Sequence, residues 1–377
     1  MRPAPDSNAI QSRRHWFCGM AGGGLLLRPG RASRSADTDR PKLPHYRDHT
    51  KLLVVRDPEG REFAVGDAVD WSVRRAHILE HFQEVAGPVP GGERRVLVHI
   101  QEVERFERDG LRYRRIRYAA EPGNDVPAWV VEGIDDGRRR RRGILALHQT
   151  TRIGKDEPAG LGGSPALHYG SELAACGFLV VCPDYPGFGE NVTDPYRLGY
   201  ASATMKGIWN HSRALDVLQA LLGDPRARLG VIGHSLGGHN GLFLGLFDER
   251  AAALVSSCGF NALAHYRGGQ IAGWAHAGYL PRLRAEYGLD LGRVPFDFPE
   301  LLGAWAPRPV FLNAPVADEN FAVEGVRVCV EAARPVYRLY GAEAELVVHH
   351  PEAGHEFPAE VRRAAYRFLA ERLGGFD

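Results

Sequence analysis

Apolar positions along the chain change their period near residue 93. Before it, Val73, Ile78, Leu79, Phe82 and Val85 recur at helical spacing and predict a helix over 69–85. Gly87-Pro88, Pro90 and Gly91-Gly92 then break the chain. Three strands are expected next, at 96–100, 111–118 and 126–131. The middle one alternates through Tyr113, Ile116 and Tyr118, as an antiparallel strand at an exposed edge would. From residue 144 onward short apolar runs alternate with amphipathic ones. Strands are predicted at 144–147, 178–182, 229–232, 252–256, 309–312 and 346–350. Helices are predicted at 166–176, 203–222, 236–247, 323–333 and 359–373, and the second of these carries Ile208, Leu215, Leu218 and Leu222 on one face. This alternation implies an α/β fold: a mostly parallel central sheet with helices on both faces, preceded by antiparallel strands. One connection, 260–305, is long for a simple loop. It holds Tyr266, Trp274, Tyr279 and Tyr287 and reads as a lid or cleft wall, with core filling as the plainer alternative.

The resulting division is 1–36 as a signal and linker, 37–92 as an N-terminal arm with its helix, and 93–377 as the catalytic domain. Ser12-Arg13-Arg14-His15-Trp16-Phe17 resembles a twin-arginine export signal, and an apolar stretch follows it through Leu27. That stretch is much shorter than the ~20 residues a spanning helix needs. Export to the periplasm or beyond is therefore expected, against the alternative of a basic tail on a cytoplasmic protein. The arginines at 138–142 read most simply as a solvated hairpin loop, with an anion site as the lesser reading.

Composition adds little beyond class. At 44% hydrophobic and 25% charged residues, the 377-residue chain has the balance of a globular protein with a large core. Its 47 Lys+Arg nearly cancel 46 Asp+Glu, so nothing points to nucleic acid as a partner. The five cysteines form no CxxC pair and no metal spacing; Cys182 and Cys258, in apolar stretches, read as buried free thiols. No cofactor and no metal are expected, and the oligomeric state is not legible.

The chemistry concentrates at Gly233-His234-Ser235-Leu236-Gly237, a G-x-S-x-G motif that ends an apolar strand and opens a helix. A serine there sits on a sharp turn, beside glycines that let backbone and helix approach closely. The helix N-terminus that follows favours a developing oxyanion. A hydroxyl needs a base, and His355 follows the last predicted strand, where a base after serine and acid in chain order belongs. Asp318, after the preceding strand, would orient His355. Its neighbour Glu319 could serve instead, and Asp318 could equally cap the helix starting near Phe321. For the oxyanion, the backbone N–H of Leu236 and of Thr150 are the expected donors, with Gln149 N–H as the alternative to Thr150; His148 would buttress that loop. His234 and His239 flank the serine without metal geometry. Asp184, Tyr185 and Glu190 border the cleft or simply form a turn.

At these residues the chain resembles the α/β-hydrolase superfamily, and within it bacterial acetyl xylan esterase-like or dienelactone hydrolase-like serine esterases. The likeness runs from about Arg94 to Leu373. Besides the serine motif it rests on His148-Gln149-Thr150, Asp184-Tyr185-Pro186-Gly187-Phe188-Gly189, Lys206-Gly207-Ile208-Trp209-Asn210, Asn313-Ala314-Pro315 and Gly354-His355-Glu356-Phe357-Pro358. Gln149 stands where many relatives carry glycine. The resemblance implies a cofactor-free serine hydrolase acting on a small-molecule or carbohydrate ester. Two other classes compete: a peptidase of the prolyl-oligopeptidase type, for whose usual N-terminal propeller the first 93 residues are too few, and a binding protein on a degenerate scaffold, against which the complete serine, acid and histidine argue.

Overall fold

A computed structural model describes residues 43–134 and 142–374. The twin-arginine stretch and arginines 138–141 lie outside these residues. A short hairpin, β1 (Val54–Arg56) with β2 (Glu62–Ala64), leads into α1 (Ala68–Ala86). Asp67 starts that helix by accepting from the N–H groups of Val69 and Asp70. Trp71, Ile78, Phe82 and Val85 bury one of its faces in the larger apolar core.

Three antiparallel strands follow: β3 (Ile100–Arg108), β4 (Leu111–Glu121) and β5 (Asn124–Gly133). Here the structure corrects the sequence reading twice. The first strand does not occupy 96–100. Residues 96–99 lie outside any strand, with Leu97 91% exposed. The register is set instead by the turn at Asp109 (φ 52°) and Gly110 (φ 74°), which pairs Arg108 with Leu111, and by a register shift between Glu102 and Glu104, beyond which Ile100 lies opposite Tyr118. Two successive positive φ values suit a tight hairpin between twisted strands, and Asp-Gly is the usual pair for it. The second correction is that β4 is no edge strand. It lies between β3 and β5, and the edge is β3, where mostly exposed Glu and Arg residues discourage pairing with another chain.

The chain then alternates as expected: β6 (Gly143–Leu147), α2 (Tyr169–Ala175), β7 (Leu179–Pro183), α3 (Ala203–Leu222), β8 (Leu229–His234), α4 (Leu236–Phe247) and β9 (Ala251–Ser257). Short helices α5 (Arg282–Ala285) and α6 (Phe298–Gly303) interrupt the long connection. After it come β10 (Val310–Asn313), α7 (Val323–Leu339), β11 (Leu346–His349) and α8 (Ala359–Arg372). The nine-stranded sheet runs β11-β10-β9-β8-β6-β7-β5-β4-β3, parallel from β11 to β7 and antiparallel from β7 to β3. β7 lies between β5 and β6, so the strands that flank the arginine run do not pair with each other.

Side chains leave the parallel strands alternately to two cores. Leu145, Val181, Val231, Leu254 and Leu312 face the core that holds α1, α3, α4 and α7; Ile144, Val180, Ile232, Val255 and Phe311 face α2 and α8. Both faces are thus covered, which is why these strands read as continuous apolar runs. Much of the 260–305 segment also fills the first core, with Leu263, Ile271, Trp274, Leu280, Leu283 and Phe298 buried there. The described cysteines, 176, 182, 258 and 329, are free thiols, and no described helix is long and apolar enough to cross a membrane.

From β6 the chain moves first to β7 on one side, then returns past β6 to β8 and on to β9, β10 and β11 on the other. The loops after β6 and β8 therefore diverge at the carboxyl ends of adjacent strands, and a crevice opens between them.

Candidate active site

Ser235 occupies that crevice. It joins β8 directly to α4 with φ 51° and ψ −115°, a conformation that costs a non-glycine residue about 1–3 kcal/mol. Packing around it enforces the turn. A Cβ on Gly233 would lie 2.2 Å from the carbonyl carbon of Gly237, and one on Gly237 would lie 2.0 Å from the carbonyl oxygen of Leu147. The Ser235 N–H donates to Ser257 O at 2.8 Å, tying the turn to the end of β9. Helix α4 begins at Leu236 against the end of β6, and the first N–H groups of a helix have no partner within it.

His355 and Asp318 come from the loops after β11 and β10. Backbone bonds lace these loops together: Val316 N–H donates to Pro351 O at 3.0 Å and Ala317 N–H to Ala353 O at 3.0 Å. The two Asp318 carboxylate oxygens each lie 3.0 Å from His355 Nδ1. The Asp318 side chain is buried, while that of His355 is 23% exposed. Burial alone would raise the Asp318 carboxyl, but the His355 contact and the N–H groups of Phe321 and Asn320 outweigh it and hold it below the usual carboxylate range. Asp318 thus both faces the histidine and caps the following turn. Glu319, the alternative, is exposed.

The His355 ring lies 4.8 Å from that of His234, the residue before Ser235. His234 is buried, its Nδ1 2.9 Å from Ser257 Oγ, and burial followed by the nearby His355 pushes its pKa down to about 3. Its ring is therefore neutral near pH 7. His234, Cys258 and His355 bring ligand atoms within 4.8 Å of one another, the group among the described residues that could hold a metal ion. Cys258 Sγ already meets Glu356 O at 3.4 Å.

On the other wall, burial pushes the His148 pKa down to about 4 despite its bond to Gln149. The neutral ring has one donor and one acceptor. Nε2 accepts from Tyr185 N–H at 3.0 Å, so Nδ1 carries the proton and donates to Gln149 O at 2.6 Å. That bond fixes the Gln149–Thr150 peptide, whose planarity aims the Thr150 N–H away from the held carbonyl. Asp184 ties the same wall together by accepting from Lys155 N–H at 2.7 Å and Glu190 N–H at 2.9 Å. Asp184, read from the sequence as bordering the cleft or forming a turn, thus joins the loops after β6 and β7.

The sequence reading gave two further residues no role of their own: Asn313 entered only with the resemblance, and Tyr279 only as part of the lid or cleft wall. Asn313 Nδ2 donates to Ser257 Oγ and to Glu356 O, both at 2.8 Å, joining the ends of β9 and β10 to the His355 loop. The other is Tyr279, whose hydroxyl lies 3.0 Å from Thr150 Oγ1.

The family described as alpha/beta hydrolase fold matches residues 158–293. A curated relative, Carbohydrate esterase MZ0003 from an unknown prokaryotic organism, is 26% identical over 191 residues, 47% of this chain and 44% of that protein. The chain therefore spans less than half of that relative's length. Among solved structures, a glucuronoyl esterase from Solibacter usitatus superposes with a TM-score of 0.69 at 16% identity, over 89% of this chain and 100% of that one. A glucuronoyl esterase from Teredinibacter turnerae gives 0.65 at 19% identity, over 85% and 88%. Sheet order, the serine turn and these likenesses agree: the protein has the α/β-hydrolase fold.

Proposed function

We propose that this protein is a serine hydrolase that cleaves carboxylic esters through an acyl-enzyme. The observation that carries the reading is the Asp318 carboxylate facing His355 Nδ1 with both oxygens at 3.0 Å, with the His355 ring 4.8 Å from that of His234, the residue before a serine held at φ 51°. In the proposed cycle Ser235 Oγ attacks the ester carbonyl while His355 Nε2 takes its proton. Asp318 keeps the other ring nitrogen protonated and stabilises the imidazolium. The N–H groups of Leu236 and Thr150 stabilise the oxyanion, Gln149 N–H being the alternative to the latter. Collapse expels the alcohol with the proton from His355. A water, deprotonated by the same histidine, then releases the acid and restores Ser235.

The substrate class we assign is a carbohydrate ester. The relatives just named support it, as does the aromatic wall that His276 and Tyr279 form with ring centroids 4.2 Å apart. A fluorophosphonate probe is expected to label one peptide, that of Ser235. Across acetylated sugars, methyl uronates, aryl esters and peptides, the saccharide esters should give the highest kcat/KM. Labelling elsewhere, or turnover of peptides alone, sinks the reading. Export is proposed on the Arg13-Arg14 pair. Replacing both by lysine should hold the protein in the cytoplasm, and unchanged fractionation with an intact N-terminus would exclude the signal.

A further inference from the structure

Among the aromatic residues of the 260–305 segment, Tyr279 is held in a way that core filling does not require. Three successive backbone carbonyls are fixed from outside the segment. Tyr196 Oη donates to Ala277 O at 2.5 Å, Tyr185 Oη to Gly278 O at 3.1 Å, and Thr204 N–H to Tyr279 O at 3.4 Å. The Tyr279 N–H donates to His276 O at 2.9 Å. Its ring meets that of His239 edge-on, with centroids 5.5 Å apart at 89°, and His239 lies one helical turn beyond Ser235. The ring also packs against the small apolar group of Tyr185, Ala203 and Leu236. Its hydroxyl ends 3.0 Å from Thr150 Oγ1, and Thr150 is exposed at the crevice. Tyr279 therefore meets Thr150 directly and packs against the apolar group that holds Leu236, the two residues to which the oxyanion N–H groups have been assigned, and these come from different strands' loops.

We infer that Tyr279 is a further catalytic residue, its hydroxyl donating a third hydrogen bond to the substrate oxygen that becomes negative. The inference rests on the hydrolase reading above. Either hydroxyl can donate in the Thr150–Tyr279 bond; with the Thr150 hydroxyl as the donor, the phenolic proton is left for the substrate. No proton is transferred: the O–H stays intact and strengthens its bond as the carbonyl oxygen gains charge, then relaxes when the tetrahedral intermediate collapses. Burial pushes the phenol above its ordinary value, which keeps the proton on the oxygen. A donor fixed in advance through backbone and ring needs no reorganisation when charge develops. A phenol that merely lined the wall would require neither the pinned carbonyls nor the threonine partner.

The test is Tyr279→Phe, which removes the O–H and keeps the ring contacts. It is expected to lower kcat about 10²-fold, as loss of one oxyanion donor does, with KM nearly unchanged. Affinity for a boronic acid, which forms a tetrahedral adduct on serine, should weaken in step with kcat/KM. Thr150→Val keeps the backbone N–H and should give a smaller loss of kcat, and adding it to Tyr279→Phe should cost almost nothing more. Wild-type kcat in Tyr279→Phe overturns the inference, as does a loss confined to KM or a change only in preferred acyl length. If Tyr279→Phe fails to fold, Thr150→Val probes the same bond from its other side, and unchanged kcat there is equally fatal. Wild-type protein that neither labels with a fluorophosphonate nor hydrolyses esters would instead remove the hydrolase reading itself.

Discussion

Ser235→Ala is expected to lower kcat for aryl acetates by about 10⁶-fold, to the level left by binding and oxyanion donors alone. It should also abolish fluorophosphonate labelling. The size of the loss follows from the role assigned: with no Oγ no acyl-enzyme forms, and water must attack the ester directly. Stability gives an independent readout of the same turn. Alanine inherits the strain of φ 51° at this position, whereas glycine adopts such a φ freely. Ser235→Gly should therefore unfold at a higher temperature than Ser235→Ala, although both are inactive. An alanine variant that still turns over substrate would mean the strained turn serves packing alone.

The parallel half of the sheet was legible because its strands are buried on both faces, and so appear as runs such as Ile144-Leu145-Ala146-Leu147 between amphipathic helices. The serine turn was legible for a related reason: glycines placed where a Cβ would strike backbone leave a fixed spacing in the sequence. The antiparallel half was less readable. Strand β3 is mostly exposed and rich in Glu and Arg, so it lacks apolar periodicity; its position is dictated by the Asp109-Gly110 turn and by pairing with β4. The interior place of β4 depends on that same pairing. Asp184, Asn313 and Tyr279 were singled out in the sequence, but their contacts were unreadable for another reason. Each acts through a partner far away along the chain, Lys155 and Glu190, Ser257 and Glu356, or Thr150, and no local pattern records such a contact. The choice between Asp318 and Glu319 likewise needed the backbone bonds that lace the loops after β10 and β11, which turn one carboxylate inward and leave its neighbour in solvent.

That choice sets the second large effect. Asp318→Asn should lower kcat about 10⁴-fold with little change in KM. The asparagine oxygen can still accept from the N–H groups of Asn320 and Phe321, so the turn that Asp318 caps should survive. Its amide nitrogen then faces His355 Nδ1, where the carboxylate stood. A donor there selects the wrong tautomer: Nδ1 becomes the acceptor, and the proton moves to the nitrogen that should receive the serine proton. The variant also loses the charge that stabilises the imidazolium. Glu319→Gln should change kcat less than about fivefold, because an exposed carboxylate near a helix start contributes only about 0.3–1 kcal/mol. The folded Asp318 carboxyl titrates below its unfolded value of about 3.9, so its contribution to stability is present above that pH and is lost as pH falls through the folded value. The stability gap between wild type and Asp318→Asn should therefore be full near pH 7 and close in acid, as read from thermal unfolding across pH. A gap independent of pH would mean that the Asp318 charge contributes nothing to the stability of the fold. A crippled Glu319→Gln beside an active Asp318→Asn would move the acid by one residue, against the geometry of both carboxylates.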